Sequence, residues 1–296
     1  MIEGSIVAIV TPMLEDGSID YEIFDKLLEW HIASGTGAIV VVGTTGESAT
    51  LTADEHCQLV KHCVQLVNQR VPVIAGTGSN NTQEALFFTQ SAKEHGADAC
   101  LLVTPYYNRP SQEGLFQHFK TIADLVDIPQ ILYNVPSRAA CDILNETVAR
   151  LVDHKNIIGL KDATGDVQRG LELIDLCADR IAIYSGEDAI SLRLMLGGAK
   201  GAISVTANVA PELMSQMCKL AIAGNHKAAT AIDQKLMPLH QKLFAEANPI
   251  PVKWALTEMG MIKTGIRLPL TELDSQFHIQ VRDALQYAEI TLAAVA

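Results

Sequence analysis

The sequence lacks several patterns that would place it in common classes of protein. Its six cysteines are scattered through 296 residues without a C-x-x-C pair, so a disulfide framework is not expected. No apolar segment approaches transmembrane length, and no basic region precedes the first apolar run. We therefore expect a protein without a membrane span or secretory signal, with reduced thiols and a cytoplasmic location.

Charge, glycine and histidine patterns argue against three kinds of ligand. The formal net charge is −12 and no basic cluster offsets it, which argues against a nucleic acid partner. The sequence has no P-loop spacing, and the pair Gly76-x-Gly78 lacks the third glycine of a dinucleotide motif, so no nucleotide cofactor is expected. The nine histidines have neither H-x-H nor H-E-x-x-H spacing, so no metal site is expected.

The sequence does contain a regular alternation of apolar, β-branched runs with amphipathic helical segments. The predicted strands span residues 5–11, 38–43, 71–76, 99–104, 130–135, 157–161, 181–185 and 201–205. The predicted helices begin near residues 20, 52, 82, 111, 145, 166, 189 and 211. Such strands indicate a parallel sheet covered on both faces, and eight units predict an α/β fold, the (β/α)8 or TIM barrel.

The pattern changes after the eighth unit. We predict that residues 1–224 form the catalytic barrel, and that residues 225–296 form a C-terminal region that is helical throughout. Within it, residues 271–274 have the composition of a further helix start. Earlier in the chain, Thr52 and Glu55 have the spacing of a capping box, which indicates a well-defined helix start.

Lys161 has the most distinctive chemistry, because it stands at the C-terminal end of the sixth predicted strand. Active sites of such barrels form at these strand ends. Burial disfavours the ammonium form, and a neutral lysine amine can form a Schiff base with a carbonyl substrate. The alternative is a lysine with a packed stem and a solvated head.

Further polar residues follow neighbouring strands. Gly43 and Gly46 bracket Thr44 and Thr45 in a turn whose N–H groups could hold a carboxylate or phosphate, although an ordinary βα turn has similar residues. Tyr133 could exchange protons with a Schiff base, helped by Thr44, or it could be a packed aromatic residue.

Arg138 follows the fifth predicted strand. A guanidinium there could bind a substrate carboxylate through two parallel hydrogen bonds. A surface ion pair is an equal alternative at this stage.

Three motifs connect these residues to a known group of enzymes. GTTGES at residues 43–48, YNVPSR at 133–138 and GLKDATG at 159–165 resemble the pyruvate-dependent class I aldolase superfamily, and the resemblance covers essentially the whole chain. It implies a lyase that condenses pyruvate with L-aspartate 4-semialdehyde to 4-hydroxy-tetrahydrodipicolinate, in diaminopimelate and lysine biosynthesis. It also implies a covalent pyruvate imine on Lys161, with no metal or nucleotide cofactor.

The resemblance further implies a role for each site residue. Tyr133, Thr44 and Tyr107 would relay protons, with Tyr107 reaching into the site of a neighbouring subunit. The family is usually a homotetramer built from two tight dimers, and the shared tyrosine requires at least a dimer.

Four residues would bind or surround the substrates. The backbone of Thr45, with that of Thr44, would hold the pyruvate carboxylate, and Arg138 would bind the carboxylate of the semialdehyde. Gly186 and Ile203 would line the site near the product.

Two alternative functions remain open. A sister lyase or aldolase that cleaves a sialic or sugar acid shares the lysine and tyrosine but typically lacks Arg138. A non-catalytic, metabolite-binding barrel would have no need of the complete set of catalytic residues. Ala139 and Ala140 depart from the Thr-Gly pair common after this arginine, which affects the expected loop geometry.

The resemblance also suggests inhibition by L-lysine at a dimer interface. The corresponding residues here are Ser48, Ala49, His56, Asn80, Glu84 and Tyr106. Ala53 stands where inhibited relatives often have a histidine. Alternatively, Glu84 is the N3 member of a helix cap with Asn81, and His56 faces solvent on its helix.

Overall fold

The computed structural model describes residues 2–293, and its eight parallel strands close into a barrel in sequential order. The strands are β1 (Gly4–Ala8), β2 (Ala38–Val41), β3 (Val73–Gly76), β4 (Ala99–Val103), β5 (Gln130–Asn134), β6 (Ile157–Asp162), β7 (Ala182–Ser185) and β8 (Gly201–Ser204). Each strand pairs with its successor, and β8 pairs with β1. The predicted TIM barrel is confirmed.

Helices surround the barrel and extend beyond it. They are α1 (Tyr21–Ala33), α2 (Ala53–Val67), α3 (Thr82–Glu94), α4 (Gln112–Leu125), α5 (Pro136–Ala139), α6 (Asn145–Ala149), α7 (Val167–Cys177), α8 (Asp188–Leu196), α9 (Pro211–Ile222), α10 (His226–Lys242), α11 (Ile250–Glu258) and α12 (His278–Tyr287). None of the helices in residues 2–293 is long and apolar enough to cross a membrane.

The predicted element boundaries agree with the structure to within a few residues. All eight predicted helix starts lie within one residue of an observed first helical residue. The capping box is present, because the Glu55 N–H donates to Thr52 Oγ1 over 3.2 Å and the Thr52 N–H donates to Glu55 Oε2 over 2.9 Å. Strand β2 ends earlier than predicted, because Val42 has a φ of 51° that ends the extended backbone.

The predicted C-terminal helical extension is confirmed by α10, α11 and α12, but the prediction that it is helical throughout is wrong. Residues 259–274 contain no helix, and they include Gly260, Gly265 and Pro269, which disfavour one. Residues 271–274 lead only into a 3₁₀ turn, Ser275–Phe277, which Asp274 caps and which precedes α12. Residues 294–296 of the predicted region lie outside the described residues.

The C-terminal helices share a hydrophobic core with the barrel. Leu236, Leu256 and Leu285, from α10, α11 and α12, belong to the same buried cluster as Val7 and Leu28. Helix α10 packs against α8, α9 and α12. The predicted boundary after residue 224 falls between α9 and α10, and it stays a prediction.

Candidate active site

Lys161 lies at the rim of the barrel between two tyrosines. On β6 it is in register with Tyr133 of β5 and with Tyr184 of β7. Its side chain is buried, and its Nζ lies 4.3 Å from the centre of the Tyr133 ring. Within residues 2–293, this amine makes no hydrogen bond or salt bridge, so no carboxylate holds it as an ion pair.

Burial changes the charge state of this amine. Desolvation lowers the pKa of Lys161 to about 8, against the opposing effect of the Asp188 carboxylate. The charge of Arg138 lowers this pKa further, and that of Glu187 raises it. A substantial fraction of the amine is therefore neutral at mildly alkaline pH, as a nucleophile requires.

Gly186, after β7, leaves room for the lysine side chain. A Cβ atom at this position would lie 2.7 Å from Lys161 Cε and 2.8 Å from Ala163 Cβ. The glycine N–H also donates to the Asp162 carbonyl over 2.6 Å, which fixes its backbone. Only a residue without a side chain fits here beside the lysine.

Tyr133, on β5, lies near Thr44, which follows β2. Burial raises the pKa of Tyr133 to about 12, while the charge of Arg138 and the nearby Thr44 side chain lower it. The phenol therefore keeps its proton near neutral pH. It can donate or accept a hydrogen bond beside the Lys161 amine.

The GTTGES segment forms a tight turn after β2. The Glu47 N–H donates to the Thr44 carbonyl over 3.1 Å, and the Ser48 N–H donates to the Gly43 carbonyl over 3.3 Å. Among the described residues, no acceptor is bonded to the N–H groups of Thr44 and Thr45. Consecutive N–H groups of this kind can bind a carboxylate.

A buried ion pair between Glu47 of this turn and Lys253 of α11 stabilises the turn. Glu47 has a left-handed backbone with a φ of 57°, and its buried carboxylate accepts from Lys253 Nζ and, over 3.2 Å, from the Arg267 N–H. Lys253 also donates to the Thr11 carbonyl over 3.1 Å. This pair was not predicted from the sequence, because the two residues stand 206 positions apart and neither has a local signal.

Asn248, in the segment between α10 and α11, contacts both expected carboxylate-binding residues. Its Nδ2 donates to Thr45 Oγ1 over 3.0 Å, and its carbonyl accepts from Arg138 Nη2 over 3.0 Å. A role for Asn248 was not predicted from the sequence either. No spacing in the sequence could have found it, since the partners lie 203 and 110 residues away.

Two other expected site residues differ greatly in burial. Ile203 is buried on β8, where it pairs with Ile6 of β1. Tyr107 has a φ of 74°, and its side chain is 88% exposed. The fold of a single chain therefore leaves Tyr107 on the surface, although its N–H donates to the Ala139 carbonyl over 3.3 Å.

The departure at Ala140 has a visible consequence for the loop after Arg138. Ala140 ends the short helix α5 with a φ of 51°, in the left-handed region that favours glycine. Its N–H nevertheless donates to the Pro136 carbonyl over 3.0 Å, and Ala139 is buried. The loop keeps a glycine-type conformation without a glycine.

Residues expected at the lysine site lie near the ends of β2, β3 and β4. The Glu84 carboxylate accepts a hydrogen bond from Ser79, and Asn108 Nδ2 donates to the Asn80 carbonyl over 2.8 Å. Asn81 caps α3 through the Gln83 N–H. Glu84 therefore stands at N3 of this helix, while its carboxylate faces Ser79.

His56 is buried, so the alternative that it faces solvent is wrong. Its Nε2 lies 2.8 Å from the Gly76 carbonyl, and its ring packs 4.2 Å from that of Phe88. Burial lowers the pKa of His56 to about 4, although the charge of Glu84 opposes this shift. Ser48 and Ala49 begin a 3₁₀ turn, and Tyr106 is 40% exposed.

Titratable side chains of the described part of the chain form no group of three or more His, Cys, Asp or Glu residues placed to hold a metal ion.

The chain is similar over nearly its whole length to known synthases. The model of the dihydrodipicolinate synthetase family matches residues 1–288. The chain is 60% identical over 287 residues to the 4-hydroxy-tetrahydrodipicolinate synthase of Marinobacter nauticus, covering 97% of this chain and 98% of that protein. It is 57% identical to the synthase of Pseudomonas aeruginosa, with the same coverage of each chain.

Solved structures of synthases are also similar to this chain. The dihydrodipicolinate synthase of Acinetobacter baumannii, solved in complex with pyruvate, is 56% identical with a TM-score of 0.97, and the match covers 98% of this chain and 100% of that one. The enzyme of Cyanidioschyzon merolae, solved with lysine bound, is 36% identical with a TM-score of 0.94, and the match covers 98% of this chain and 99% of that one.

These similarities confirm the predicted lyase of the class I aldolase type. They also confirm the predicted condensation of pyruvate with aspartate semialdehyde in lysine and diaminopimelate biosynthesis. The chain belongs to the dihydrodipicolinate synthetase family.

Proposed function

We propose that the condensation proceeds through an imine between Lys161 and pyruvate. The neutral amine attacks the keto carbon, and loss of water gives the imine. Removal of a methyl proton gives an enamine, whose carbon adds to the aldehyde of L-aspartate 4-semialdehyde. The amino group of that substrate then attacks the imine carbon, closes the ring and releases the lysine with 4-hydroxy-tetrahydrodipicolinate.

The buried, unpaired Lys161 amine is the observation that carries this proposal. Its lowered pKa makes it a nucleophile without a metal or a nucleotide. We therefore expect activity to survive exhaustive dialysis against a chelator. Activity that returned only on adding a divalent cation would contradict the proposed absence of a cofactor.

We assign proton transfer to Tyr133, Thr44 and Tyr107. The Thr44 side chain lies near enough to the Tyr133 phenol to lower its pKa, which supports the first link of this relay. Tyr107 completes it from a neighbouring subunit in this proposal, in agreement with its exposed side chain in the single chain.

Mixing two inactive variants tests the assignment of Tyr107. Lys161→Ala lacks the nucleophile and Tyr107→Phe lacks the shared hydroxyl. A mixed dimer contains one site with Lys161 from one chain and Tyr107 from the other, so co-expression restores activity. If Tyr107 served the site of its own chain, mixed dimers would stay inactive.

We also propose that the enzyme is a homotetramer, a dimer of dimers. Sedimentation of the unmodified protein tests this assembly state.

We assign substrate recognition to four residues. The N–H groups of Thr44 and Thr45 would bind the pyruvate carboxylate, and Arg138 would bind that of the semialdehyde. Gly186, which leaves room for the lysine, and Ile203, which is buried on β8, would line the site near the product.

Competition between acceptors tests the choice of substrate. Pyruvate consumption is measured with aspartate semialdehyde, N-acetylmannosamine and glyceraldehyde. We expect preference for the semialdehyde, with an increase in its KM of about a hundredfold in Arg138→Ala, since a charge-assisted pair is lost. Arg138→Lys, which keeps the charge without the planar fork, is the matched control. Preference for a sugar acceptor would favour the lyase alternative.

We also propose that L-lysine inhibits the enzyme through Ser48, Ala49, His56, Asn80, Glu84 and Tyr106. Support comes from the exposed Tyr106 and from the Glu84 carboxylate, a suitable partner for an ammonium group. Titration of activity with L-lysine is the test, with Glu84→Gln as the variant expected to lose inhibition. A flat titration into the millimolar range would remove the proposal.

A cytoplasmic location is our further proposal. All six cysteines are free thiols, and five of them are buried. This agrees with a reducing compartment, where thiols persist. Fractionation of cells that produce the protein would test it.

A further inference from the structure

We propose that Asn248 positions the hydroxyl of Thr45 as a hydrogen-bond donor for pyruvate, and thereby connects the pyruvate site to the residue that binds the second substrate. This inference rests on the proposed roles of Thr45 and Arg138. Asn248 acts as a positioning residue, because it contacts these two side chains and not the reacting atoms.

The direction of one hydrogen bond carries the argument. Asn248 Nδ2 donates to Thr45 Oγ1 over 3.0 Å, and both residues are buried. A hydroxyl has one proton and two lone pairs. Since the oxygen accepts from Asn248 and, among the described residues, donates to no other group, its proton stays free for a bound carboxylate.

The side chain of Asn248 acts on Thr45 alone. Within residues 2–293 its Oδ1 is buried and has no hydrogen-bond partner, so Nδ2 makes the only side-chain contact of this kind. The contact with Arg138 comes instead from the backbone carbonyl. A substitution at residue 248 therefore removes the link to Thr45 while the link to Arg138 stays.

This division predicts an asymmetric change in the two KM values. In Asn248→Ala we expect the KM for pyruvate to rise about tenfold, as for a lost hydrogen bond, and the KM for the semialdehyde to change by less than about twofold. Equal increases in both values would overturn the inference, as would unchanged values, because either result denies a selective link to Thr45.

The isosteric variant Asn248→Asp provides a second readout. A carboxylate cannot donate to Thr45 Oγ1 and accepts the threonine proton instead, which reverses the hydrogen bond. We expect this variant to raise the KM for pyruvate more than Asn248→Ala does. A milder effect than that of alanine would overturn the inference, because it would mean that residue 248 only fills space. If Asn248→Ala does not fold, as judged by circular dichroism, Asn248→Asp takes its place in the measurement of the two KM values.

A double-mutant cycle with Thr45→Val separates this inference from the proposed role of Thr45. We expect the double variant Thr45→Val/Asn248→Ala to bind pyruvate no more weakly than Thr45→Val alone, since Asn248 acts through that hydroxyl. Additive losses would overturn the inference. If Thr45→Val left the KM for pyruvate unchanged, the Thr45 hydroxyl would not bind pyruvate and this inference would fail, while the proposed role of the Thr45 N–H group would stand. If only the Asn248 variants were silent, the positioning role alone would fail.

Discussion

Two buried lysines of this protein have opposite surroundings. Lys161, at the rim of the barrel, faces the ring of Tyr133 and makes no ion pair within the described residues. Lys253, on α11, is equally buried but donates to the Glu47 carboxylate and to the Thr11 carbonyl. Burial lowers the pKa of both lysines, and at Lys253 the adjacent Glu47 opposes the shift.

The comparison shows that burial alone does not make a lysine reactive. A buried ammonium beside a carboxylate keeps its proton and joins two segments of the chain. A buried amine without such a partner loses its proton more easily and becomes available for attack on a carbonyl. The absence of an ion pair at Lys161 within residues 2–293 is thus as important as its burial.

Exchanging the reactive lysine tests the comparison with the largest effect. We expect Lys161→Ala to lower kcat by about a thousandfold or more, because the covalent route is lost. Borohydride reduction with pyruvate should add mass to the peptide with Lys161 in the unmodified protein and to no peptide in this variant. Lys253→Met is the control and should still be trapped at Lys161. Trapping at Lys253 would refute the distinction between the two lysines.

Breaking the structural pair should cost stability. Glu47→Gln leaves the Lys253 ammonium buried without its counter-ion, so we expect a loss of about 3–5 kcal/mol in the free energy of unfolding. Urea denaturation measures it. The more exposed pair of Glu55 with Arg267 gives the control Glu55→Gln, with a smaller expected loss of about 1 kcal/mol. Equal losses in the two variants would show that burial does not distinguish these pairs.

The pH dependence of imine formation reports the charge state of Lys161. Only the neutral amine attacks pyruvate, so the rate of imine formation should rise with pH. It should level off above about 8, the pKa of Lys161 in the folded protein. Rapid-mixing measurements between about pH 6 and 10 would show this dependence, because they extend about two units on either side of that pKa. A midpoint near the ordinary lysine value would mean that the amine is solvated.

Neighbouring charges should move this midpoint in opposite directions, with the smallest effects. Asp188→Asn removes a negative charge that raises the pKa of Lys161, so the midpoint should fall. Arg138→Gln removes a positive charge that lowers it, so the midpoint should rise. The same profile of rate against pH measures both variants. Shifts in one common direction would contradict the electrostatic account.

The sequence by itself determined the barrel and most of its rim. Alternation of strands and helices is a local pattern, and strand order follows from it in a parallel barrel. Tyr133 and Lys161 could therefore be placed on adjacent strands from the sequence, and their register confirms this proximity. The helix starts were equally predictable, because caps such as Thr52 act within one turn of the chain.

Tertiary structure alone decided the supports of the site. Asn248 reaches Thr45 across 203 residues, and Lys253 reaches Glu47 across 206. Such contacts depend on how the C-terminal helices pack against the barrel, and no periodicity or short motif records that packing. The charge state of Lys161 also depends on tertiary structure. A lysine at a strand end can be solvated, ion-paired or buried without a charged partner, and only the folded surroundings decide which of these applies.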